Sequence, residues 1–302
     1  MQMTTEDRQD RQDRQERPHA RTFSTPAYNF AFLDEGSKRE IRRKSLKAVA
    51  IPGYQVAFAS REMPIGRGWG TGGLQLTLSL LGRNDTLKVI DQGNDDSVNA
   101  VSIRRLVEAT SGIATTEATE EATIIQSRHR IPEEPLTRDQ ILVLQVPQPE
   151  PLRKVEPREE KTRIRHAEMD YSAMWLTLYE SIVKWGSITL GADYPVMVHN
   201  RYIMAPSPIP RWDTEKLHMS EHLSLFGAGR EKKVYAIPPY TNVVPLQFDD
   251  YPFTVETFKD AECGHCGSTH TFLDEVKDES TGRTIYQCSD TAYCRRQREG
   301  RG

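Results

Sequence analysis

The stretch Ala261–Arg296, "AECGHCGSTHTFLDEVKDESTGRTIYQCSDTAYCRR", contains all four cysteines of this 302-residue chain. Cys263 and Cys266 form a CxxC pair, Cys288 follows after 21 intervening residues, and Cys294 follows after five more. A CxxC turn places two thiols side by side, and a returning hairpin can carry two more to the same point. The spacing therefore predicts a small C-terminal module built around one metal site.

The residues between the cysteines predict the elements of this module. "TFLDEV" and "TIYQC" are typical of two strands, and "DESTG" between them is typical of a turn. "SDTAYC" predicts the start of a short helix that Ser289 or Asp290 caps. The result is a hairpin followed by a helix that carries the last cysteine.

The residue types alone leave the metal open. Four thiolates in a closed tetrahedron suit structural zinc, although the second pair of a zinc ribbon is usually separated by two residues, not five. A [4Fe–4S] cluster on three thiolates would leave one iron open and one cysteine free, and a redox site is a third interpretation. Spacing alone favours zinc. Because four cysteines satisfy a tetrahedral ion, we expect His265 and His270 to face solvent.

Composition narrows the class of protein. A formal net charge of -3 and a pI near 6.3 argue against a nucleic-acid binder. No stretch approaches the length of apolar sequence that a membrane helix needs, and no secretion signal is evident. We therefore expect a cytoplasmic protein whose clustered cysteines are metal ligands or redox groups instead of disulfides. The low content of large aliphatic residues predicts that other subunits complete part of the apolar surface.

Outside the module, apolar periodicity predicts an α/β or α+β core with a mixed sheet. Ile41, Leu46 and Val49 mark a helix over residues 37–50, and Ser97 caps a second helix that runs to Gly112. Alternating leucines predict a strand in "GLQLTLSLLG". "TLKVID", "ATIIQSRHRIP" and "QILVLQVP" predict further strands, and "SEHLSLFGAGREKKVYAIPP" predicts a short helix, a glycine turn and a strand. "PVMVHNRYIM" could form a hairpin that turns at His199-Asn200.

Composition also divides the chain into parts. Proline-rich sequence precedes a strongly periodic helix that carries Trp175 and Trp185. Such a helix either packs on its own core or docks a partner protein. We predict a disordered tail at residues 1–26 and a core in two segments, 27–147 and 198–256. We also predict a helical insertion for partner docking at residues 148–197 and a cysteine-rich metal module at residues 257–302.

Two segments outside the module are candidates for anion binding. Arg128 and Arg130 in "QSRHRIP" alternate with His129, so the arginines face one side of an extended chain, and guanidinium groups suit phosphate and phosphonate. The alternative is a set of surface charges on an edge strand. Gly72 and Gly73 end a glycine-rich loop whose amides could cradle an anion or form a close-packed turn. That loop lacks the Lys and Ser/Thr of a nucleotide-hydrolysing P-loop.

Taken together, several stretches resemble one family, the J subunit of the bacterial carbon–phosphorus lyase complex. These stretches lie between Tyr28 and Arg295 and include "YNFAFLDE", "LKAVAIPGYQVAF", "GWGTGG", "LKVIDQG", "QSRHRIPE", "LFGAGREK", "DDYPFTV" and "CSDTAYCR". The C-x2-C-x21-C-x5-C spacing is itself characteristic of the family. The resemblance implies a radical S-adenosylmethionine enzyme in which Cys263, Cys266 and Cys288 bind a [4Fe–4S] cluster.

The resemblance also implies a mechanism and partners. The 5′-deoxyadenosyl radical would take a hydrogen from Gly53, which otherwise belongs to an ordinary Pro-Gly turn, and Cys294 would give the thiyl radical that attacks phosphorus. A ribosyl methylphosphonate 5-phosphate substrate would give methane and a ribose 1,2-cyclic phosphate 5-phosphate. His129 would join a metal site, of zinc for example, that is shared with a neighbouring subunit. Other core subunits would surround the chain, and an ATP-binding-cassette protein would dock on residues 148–197.

The rival interpretation is a non-catalytic scaffold subunit. In that case the four cysteines would hold structural zinc, and the tryptophan-bearing helix would recruit partners. Zinc at the cysteines is also expected if an iron–sulfur cluster has been lost to oxygen. Iron content and cleavage of S-adenosylmethionine distinguish the two functions.

Overall fold

A computed structural model describes most of the chain beyond the N-terminal tail. The described residues are 35–53, 56–57, 71–91, 93–128, 130–145, 196–202, 213–228, 233–245 and 260–300. Three parts of the sequence-based predictions lie outside these residues: the disordered tail, the predicted helix with Trp175 and Trp185, and His129.

The described elements alternate between strands and helices along the chain. The helices are α1 Glu35–Ala50, α2 Thr71–Leu80, α3 Val98–Ser111, α4 Thr214–Leu217 and α5 Thr291–Glu299. The strands are β1 Val56–Ala57, β2 Thr86–Asp91, β3 Ala114–Thr115, β4 Ile124–Arg128, β5 Ile141–Gln145, β6 Val196–Val198, β7 Arg201–Tyr202, β8 Leu223–Ala228, β9 Lys233–Ile237, β10 Val243–Pro245, β11 Leu273–Lys277 and β12 Thr284–Cys288. A 3₁₀ turn covers Thr119–Glu121.

The core is a seven-stranded mixed sheet in the order β1–β9–β8–β5–β4–β2–β3. Strands β3, β2, β4, β5 and β8 are parallel, whereas β9 runs antiparallel to both β8 and β1. The central strands are apolar and buried, as expected when both faces of a sheet are covered. Strands β10, β6 and β7 form a small antiparallel sheet, and β11 pairs with β12 in a hairpin. The predicted mixed-sheet α/β core with a C-terminal four-cysteine hairpin is confirmed.

Local sequence signals correctly predicted the two ends of α3 and the turn between β6 and β7. The Ser97 side chain accepts a hydrogen bond from the Ala100 amide, and Gly112 ends α3 in the left-handed conformation with φ of 69°. His199 and Asn200 have φ of 47° and 61° and connect β6 to β7, as the predicted hairpin requires.

The prediction of a strand in "GLQLTLSLLG" is wrong, because this segment forms α2. The helix packs against β5 and β8 on one side and against α1 on the other, so that most of its surface is buried and its leucines need no helical spacing. A Cβ on Gly73 would lie 2.9 Å from the Cα of Gln145, and Gly227 meets the backbone of Gly72 in the same way. Glycines therefore let the start of α2 approach the sheet closely.

Two further expectations need correction. The short helix predicted in "SEHLSLF" is strand β8, whose backbone pairs with β5 and β9 on either side. In α1, Ile41 is buried as expected, but Leu46 is 71% exposed. Ser45 and Ala48 are buried in its place, because small side chains allow α2 to pack closely on this helix. None of the helices in the described ranges is long and apolar enough to cross a membrane.

Candidate metal centre and adjoining cleft

The four cysteines lie on three elements of the C-terminal module. Cys263 and Cys266 flank a tight turn in which the Gly267 amide donates to the Cys263 carbonyl. Gly267 has φ of 66°, a conformation that favours glycine. Cys288 ends β12, and Cys294 lies on α5.

The start of α5 matches the prediction from sequence. The Asp290 side chain accepts a hydrogen bond from the Tyr293 amide at 2.9 Å, so Asp290 caps the helix. This cap fixes the first turn of α5 and hence the position of Cys294 four residues later.

The four sulfur atoms meet at one point. Cys263 Sγ lies 3.6 Å from Cys294 Sγ, and Cys266 Sγ lies 3.5 Å from Cys288 Sγ. All four atoms lie within 4.8 Å of one another, and all four residues are buried. Zinc–sulfur bonds of about 2.3 Å in a tetrahedron place the sulfurs about 3.8 Å apart. The four thiols therefore fit one tetrahedral metal ion.

Hydrogen bonds to sulfur differ across the cluster. Burial alone would raise the pKa of Cys263, but the backbone amides of Cys266, His265 and Cys288 point at its sulfur and lower the pKa to about 6. Burial raises the pKa of Cys288, and it raises the pKa of Cys294 to about 12. The fold thus stabilises the Cys263 thiolate, whereas burial disfavours the thiolates of Cys288 and Cys294. A bound cation would favour those two thiolates, so metal binding would release protons.

One set of contacts fixes the module to the loop that follows β4. The Glu133 amide donates to Asp290 Oδ2 at 3.2 Å, and the Phe272 amide donates to Glu133 Oε1 at 3.3 Å. The Arg130 guanidinium lies 4.0 Å from the centre of the Phe272 ring and forms an ion pair with Glu133. The cysteines are therefore held at the carboxyl ends of the parallel strands, where open α/β sheets usually bind ligands.

A second set of contacts fixes α5 to the segments after β2 and β3. The Thr291 hydroxyl donates to the side chains of Asn94 and Asp96. Arg295 donates to the Glu117 carboxylate at 2.9 Å, and Arg296 donates to the Glu117 carbonyl at 3.1 Å. Glu117 therefore links the helix that carries Cys294 to the core.

A buried ion pair lies beneath this contact. Lys88 Nζ lies 2.9 Å from Asp95 Oδ2 and also donates to the Glu117 carbonyl, and the side chains of Lys88 and Asp95 are 0% and 1% exposed. Burial raises the pKa of Asp95 to about 6, and Lys88 opposes that rise. Sequence analysis did not single out Lys88, Asp95 or Glu117. A lysine inside the apolar strand "TLKVID" is the signal that could have identified the pair.

The structure places the predicted anion-binding residues as follows. Arg128 pairs with Asp91 and Arg130 pairs with Glu133, so each guanidinium has a carboxylate partner. Gly72 and Gly73 begin α2, close to the carboxyl ends of β5 and β8. In these positions the arginines stabilise the ends of strands and the glycines permit close packing. A role of the four residues in substrate binding stays a prediction.

Gly53 and Cys294 are not brought together. Gly53 is buried beside the β6–β7 hairpin, with φ of 76°, and it precedes the edge strand β1. The cysteine module contacts the loops after β2 and β4, and β4 is four strands from β1 in the main sheet. At about 4.8 Å between neighbouring strands, that separation is about 19 Å.

A cleft of about 220 Å³ opens beside two of the cysteines. Its lining consists of Asp96, His265, Gln287, Cys288, Thr291, Cys294, Arg295 and Arg298. His265 and His270 are exposed, as expected from the sequence. The four-thiol cluster is thus buried but adjoins an open, charged cavity.

The fold and the site together define a class: an α/β protein in which a cluster of four thiols that could hold a metal ion lies at the carboxyl ends of parallel strands. A sequence profile for the phosphonate metabolism protein PhnJ matches residues 26–300. The chain therefore belongs to the PhnJ family, which confirms the resemblance inferred from the sequence.

Two relatives are each 58% identical to the chain. One is the alpha-D-ribose 1-methylphosphonate 5-phosphate C-P lyase of Escherichia coli (strain K12), aligned over 274 residues, which are 91% of this chain and 97% of that protein. The other is the alpha-D-ribose 1-methylphosphonate 5-phosphate C-P-lyase of Rhizobium meliloti (strain 1021), aligned over 267 residues, which are 88% and 90% of the two chains.

Proposed function

We propose that this protein is a lyase that cleaves the carbon–phosphorus bond of alpha-D-ribose 1-methylphosphonate 5-phosphate in organophosphonate catabolism. Two similar proteins carry the name of that activity and align over nearly their whole length. The observation that carries the proposal is the four-thiol cluster beside an open cleft, because it offers both a place for a redox cofactor and a cysteine that lines a cavity large enough for a ligand.

We propose a radical S-adenosylmethionine mechanism. Cys263, Cys266 and Cys288 would hold a [4Fe–4S] cluster, because three thiolates satisfy such a cluster and leave one iron open. With S-adenosylmethionine bound, that cofactor would supply a 5′-deoxyadenosyl radical. Cys294 would then give a thiyl radical that forms a sulfur–phosphorus bond and releases the methyl group as a radical. The methyl radical would take a hydrogen atom from Gly53 to give methane, and the ribose 2-hydroxyl would displace the Cys294 sulfur as the thiol, so that the sugar product is ribose 1,2-cyclic phosphate 5-phosphate. Cys294 suits this role because it lines the cleft.

Gly53 would carry the radical in the same proposal. It has no side chain to obstruct approach, and its positive φ of 76° is accessible to glycine at little cost. A Cβ at this position would lie 3.2 Å from the Val198 carbonyl oxygen and 3.1 Å from Arg201 Cβ. The distance between Gly53 and the cysteine module means that the transfer to Cys294 requires a rearrangement of one of the two segments.

A second candidate function follows from the sulfur geometry. Four sulfurs at the separations described above can close around one zinc ion and leave no free thiol. With zinc bound, the module would be structural and the chain a non-catalytic scaffold subunit. Zinc in the same site is also expected after an iron–sulfur cluster has been lost to oxygen, so zinc in protein handled in air does not decide between the two functions.

Anaerobic reconstitution distinguishes the two functions. Anaerobic treatment with iron, sulfide and reductant is expected to give about four irons per chain, with 5′-deoxyadenosine formed from S-adenosylmethionine. Protein purified in air is expected to carry about one zinc per chain and to form no 5′-deoxyadenosine. The measurements are metal analysis and chromatography of the nucleoside. Absence of 5′-deoxyadenosine from the fully iron-loaded complex would rule out the radical mechanism and leave the scaffold function.

We propose further that the chain acts within a multi-subunit complex. Other carbon–phosphorus lyase subunits would contact the core, and His129 would contribute to a metal site, of zinc for example, shared with one of them. An ATP-binding-cassette protein would dock on residues 148–197, which contain proline-rich sequence and the segment with Trp175 and Trp185 that is predicted to be helical.

Deleting the insertion tests this docking. The deletion should cover residues 148–195 only, because Val196 and Met197 belong to β6 and pair with Pro245 and Val244 of β10. The expected result is an unchanged iron content with at least tenfold weaker binding of the ATP-binding-cassette protein, measured by titration of the purified complex (about 1.4 kcal/mol). Unchanged affinity would show that the partner docks elsewhere.

A further inference from the structure

We propose that Arg298 binds the 5-phosphate of the substrate in the cleft beside Cys288 and Cys294, with the phosphonate end of the substrate facing Cys294. This inference rests on the proposed function and adds the residue that recognises the phosphate. The cysteine spacing did not point to Arg298, because this residue lies beyond the last cysteine.

The cleft is lined by one face of α5. Thr291, Cys294, Arg295 and Arg298 occupy positions i, i+3, i+4 and i+7 of the helix, and all four line the cavity. Arg298 is one turn after Cys294, about 6 Å further along the helix axis. A reactive thiol and a guanidinium group thus face the same cavity at different depths along one helix.

The two arginines of this face differ in how they are paired. Arg295 donates to the Glu117 carboxylate, and that ion pair raises its pKa. Arg298 is exposed and forms no ion pair with any carboxylate of the described segments. The guanidinium of Arg298 therefore keeps its five donors for a ligand, whereas that of Arg295 is partly used by the protein.

A negative charge near the start of α5 restricts where an anion can bind in the cleft. Asp96 lines the cleft and accepts a hydrogen bond from Thr291, at the beginning of the helix. An anion is repelled from that end and attracted towards Arg295 and Arg298, near the end of the helix. His265 completes the lining from the CxxC turn.

The substrate named for the relatives carries two anionic groups on one sugar, a phosphonate at position 1 and a phosphate at position 5. Planar guanidinium groups bind such phosphoryl oxygens in a bidentate manner. If the phosphonate lies at Cys294, a phosphate on the far side of the ribose falls at the next turn of the helix, which is the position of Arg298. Arg298 would thereby orient the phosphorus–carbon bond towards sulfur.

The test compares Arg298→Gln with Arg283→Gln in the iron-loaded complex. Arg283 is an exposed arginine on the turn between β11 and β12 and does not line the cleft, so it controls for the loss of one positive charge from the module. Turnover is measured with the ribosyl methylphosphonate 5-phosphate and with the same compound lacking the 5-phosphate. We expect Arg298→Gln to raise KM about tenfold for the first compound, with kcat within about twofold, and to leave KM for the second unchanged.

Binding of ribose 5-phosphate to the same complexes provides a readout that does not depend on turnover. Arg298→Gln is expected to weaken this binding about tenfold, Arg298→Lys to restore part of it, and Arg283→Gln to leave it unchanged. If Arg298→Gln raises KM equally for the compounds with and without the 5-phosphate, the cleft is damaged in general and the proposal is overturned. The proposal is also overturned if both KM and ribose 5-phosphate binding are unchanged in Arg298→Gln.

Failure of the proposed function has a different signature. If the wild-type complex forms no 5′-deoxyadenosine, the radical mechanism fails, but the binding of ribose 5-phosphate still tests the role of Arg298. If the wild-type complex is active and its KM does not depend on Arg298, the mechanism stands and the phosphate lies elsewhere.

Discussion

Replacing Cys294 by alanine is expected to abolish methane release, by at least about three orders of magnitude, while iron binding under anaerobic conditions stays near four irons per chain. The reason is a division of roles among four neighbouring thiols. Three suffice for the proposed cluster, whereas the fourth, which lines the cleft, would be the reacting group. Methane is measured by gas chromatography and iron by metal analysis of the same sample.

Cys288→Ala is the matched control, because Cys288 lines the same cleft but is a proposed cluster ligand. It should lose both iron and activity. The effect of Cys294→Ala on zinc binding should differ from its effect on iron binding. In protein handled in air, this variant should bind zinc more weakly than the wild type, because a closed four-sulfur site loses one ligand. If Cys294→Ala also loses its iron, Cys294 is a cluster ligand and its assignment as the reactive thiol is wrong.

The second large effect concerns stability. Lys88→Met is expected to lower the free energy of unfolding by about 3–5 kcal/mol, because it leaves the Asp95 carboxylate buried without its partner. The same change removes a donor to the Glu117 carbonyl, which also accepts from Arg296 of α5. The measurement is chemical denaturation. Lys277→Met, at an exposed position of β11, is the control and should change stability by less than about 0.5 kcal/mol.

The pH dependence of this loss has a defined sign. Burial raises the pKa of Asp95 from 3.8 to about 6, so the folded protein favours the protonated carboxyl group at low pH. Stability linked to Asp95 is therefore present below pH 3.8 and decreases as the pH rises through about 6. Without Lys88 the folded-state pKa rises further, and the decrease continues to higher pH. The deficit of Lys88→Met should be larger at pH 8 than at pH 5, and a deficit independent of pH would contradict the pairing.

The double variant Lys88→Met, Asp95→Leu separates loss of the pair from loss of packing. Replacing both charges removes the uncompensated carboxylate, and apolar side chains of similar volume often substitute for a buried ion pair at little cost. We expect this variant to recover most of the stability lost in Lys88→Met. If it is as unstable as the single variant, the two side chains contribute mainly through shape.

Local sequence signals predicted the cysteine module well. The CxxC turn, the two strands, the Asp290 cap and the following helix all lie where the spacing placed them. These features depend on residues that are close in sequence; the Asp290 cap, for example, accepts a hydrogen bond from an amide only three residues away. The caps of α3 and the turn at His199-Asn200 were predicted for the same reason.

Predictions that depended on distant contacts failed. Leucines at every second position of α2 indicated a strand. This segment is covered by the sheet on one side and by α1 on the other. Because neither side faces solvent, the spacing of its apolar residues does not show whether it is a helix or a strand. A capped helix was predicted for the segment that forms β8. This segment is a strand because its backbone pairs with two neighbouring strands. The burial of Ser45 and Ala48 in place of Leu46 likewise reflects the close approach of α2.

The sequence by itself determined the family, the metal-site cysteines and the mixed α/β class, because these are set by ligand spacing and by patterns within short segments. Only the tertiary structure decided where the metal site lies and what surrounds it. The contacts of Glu133 and Glu117 with the module join residues more than a hundred positions apart, as does the pairing of Thr291 with Asn94 and Asp96. Such contacts form because folding brings the ends of parallel strands together, and no local pattern in the chain encodes which side chains meet there.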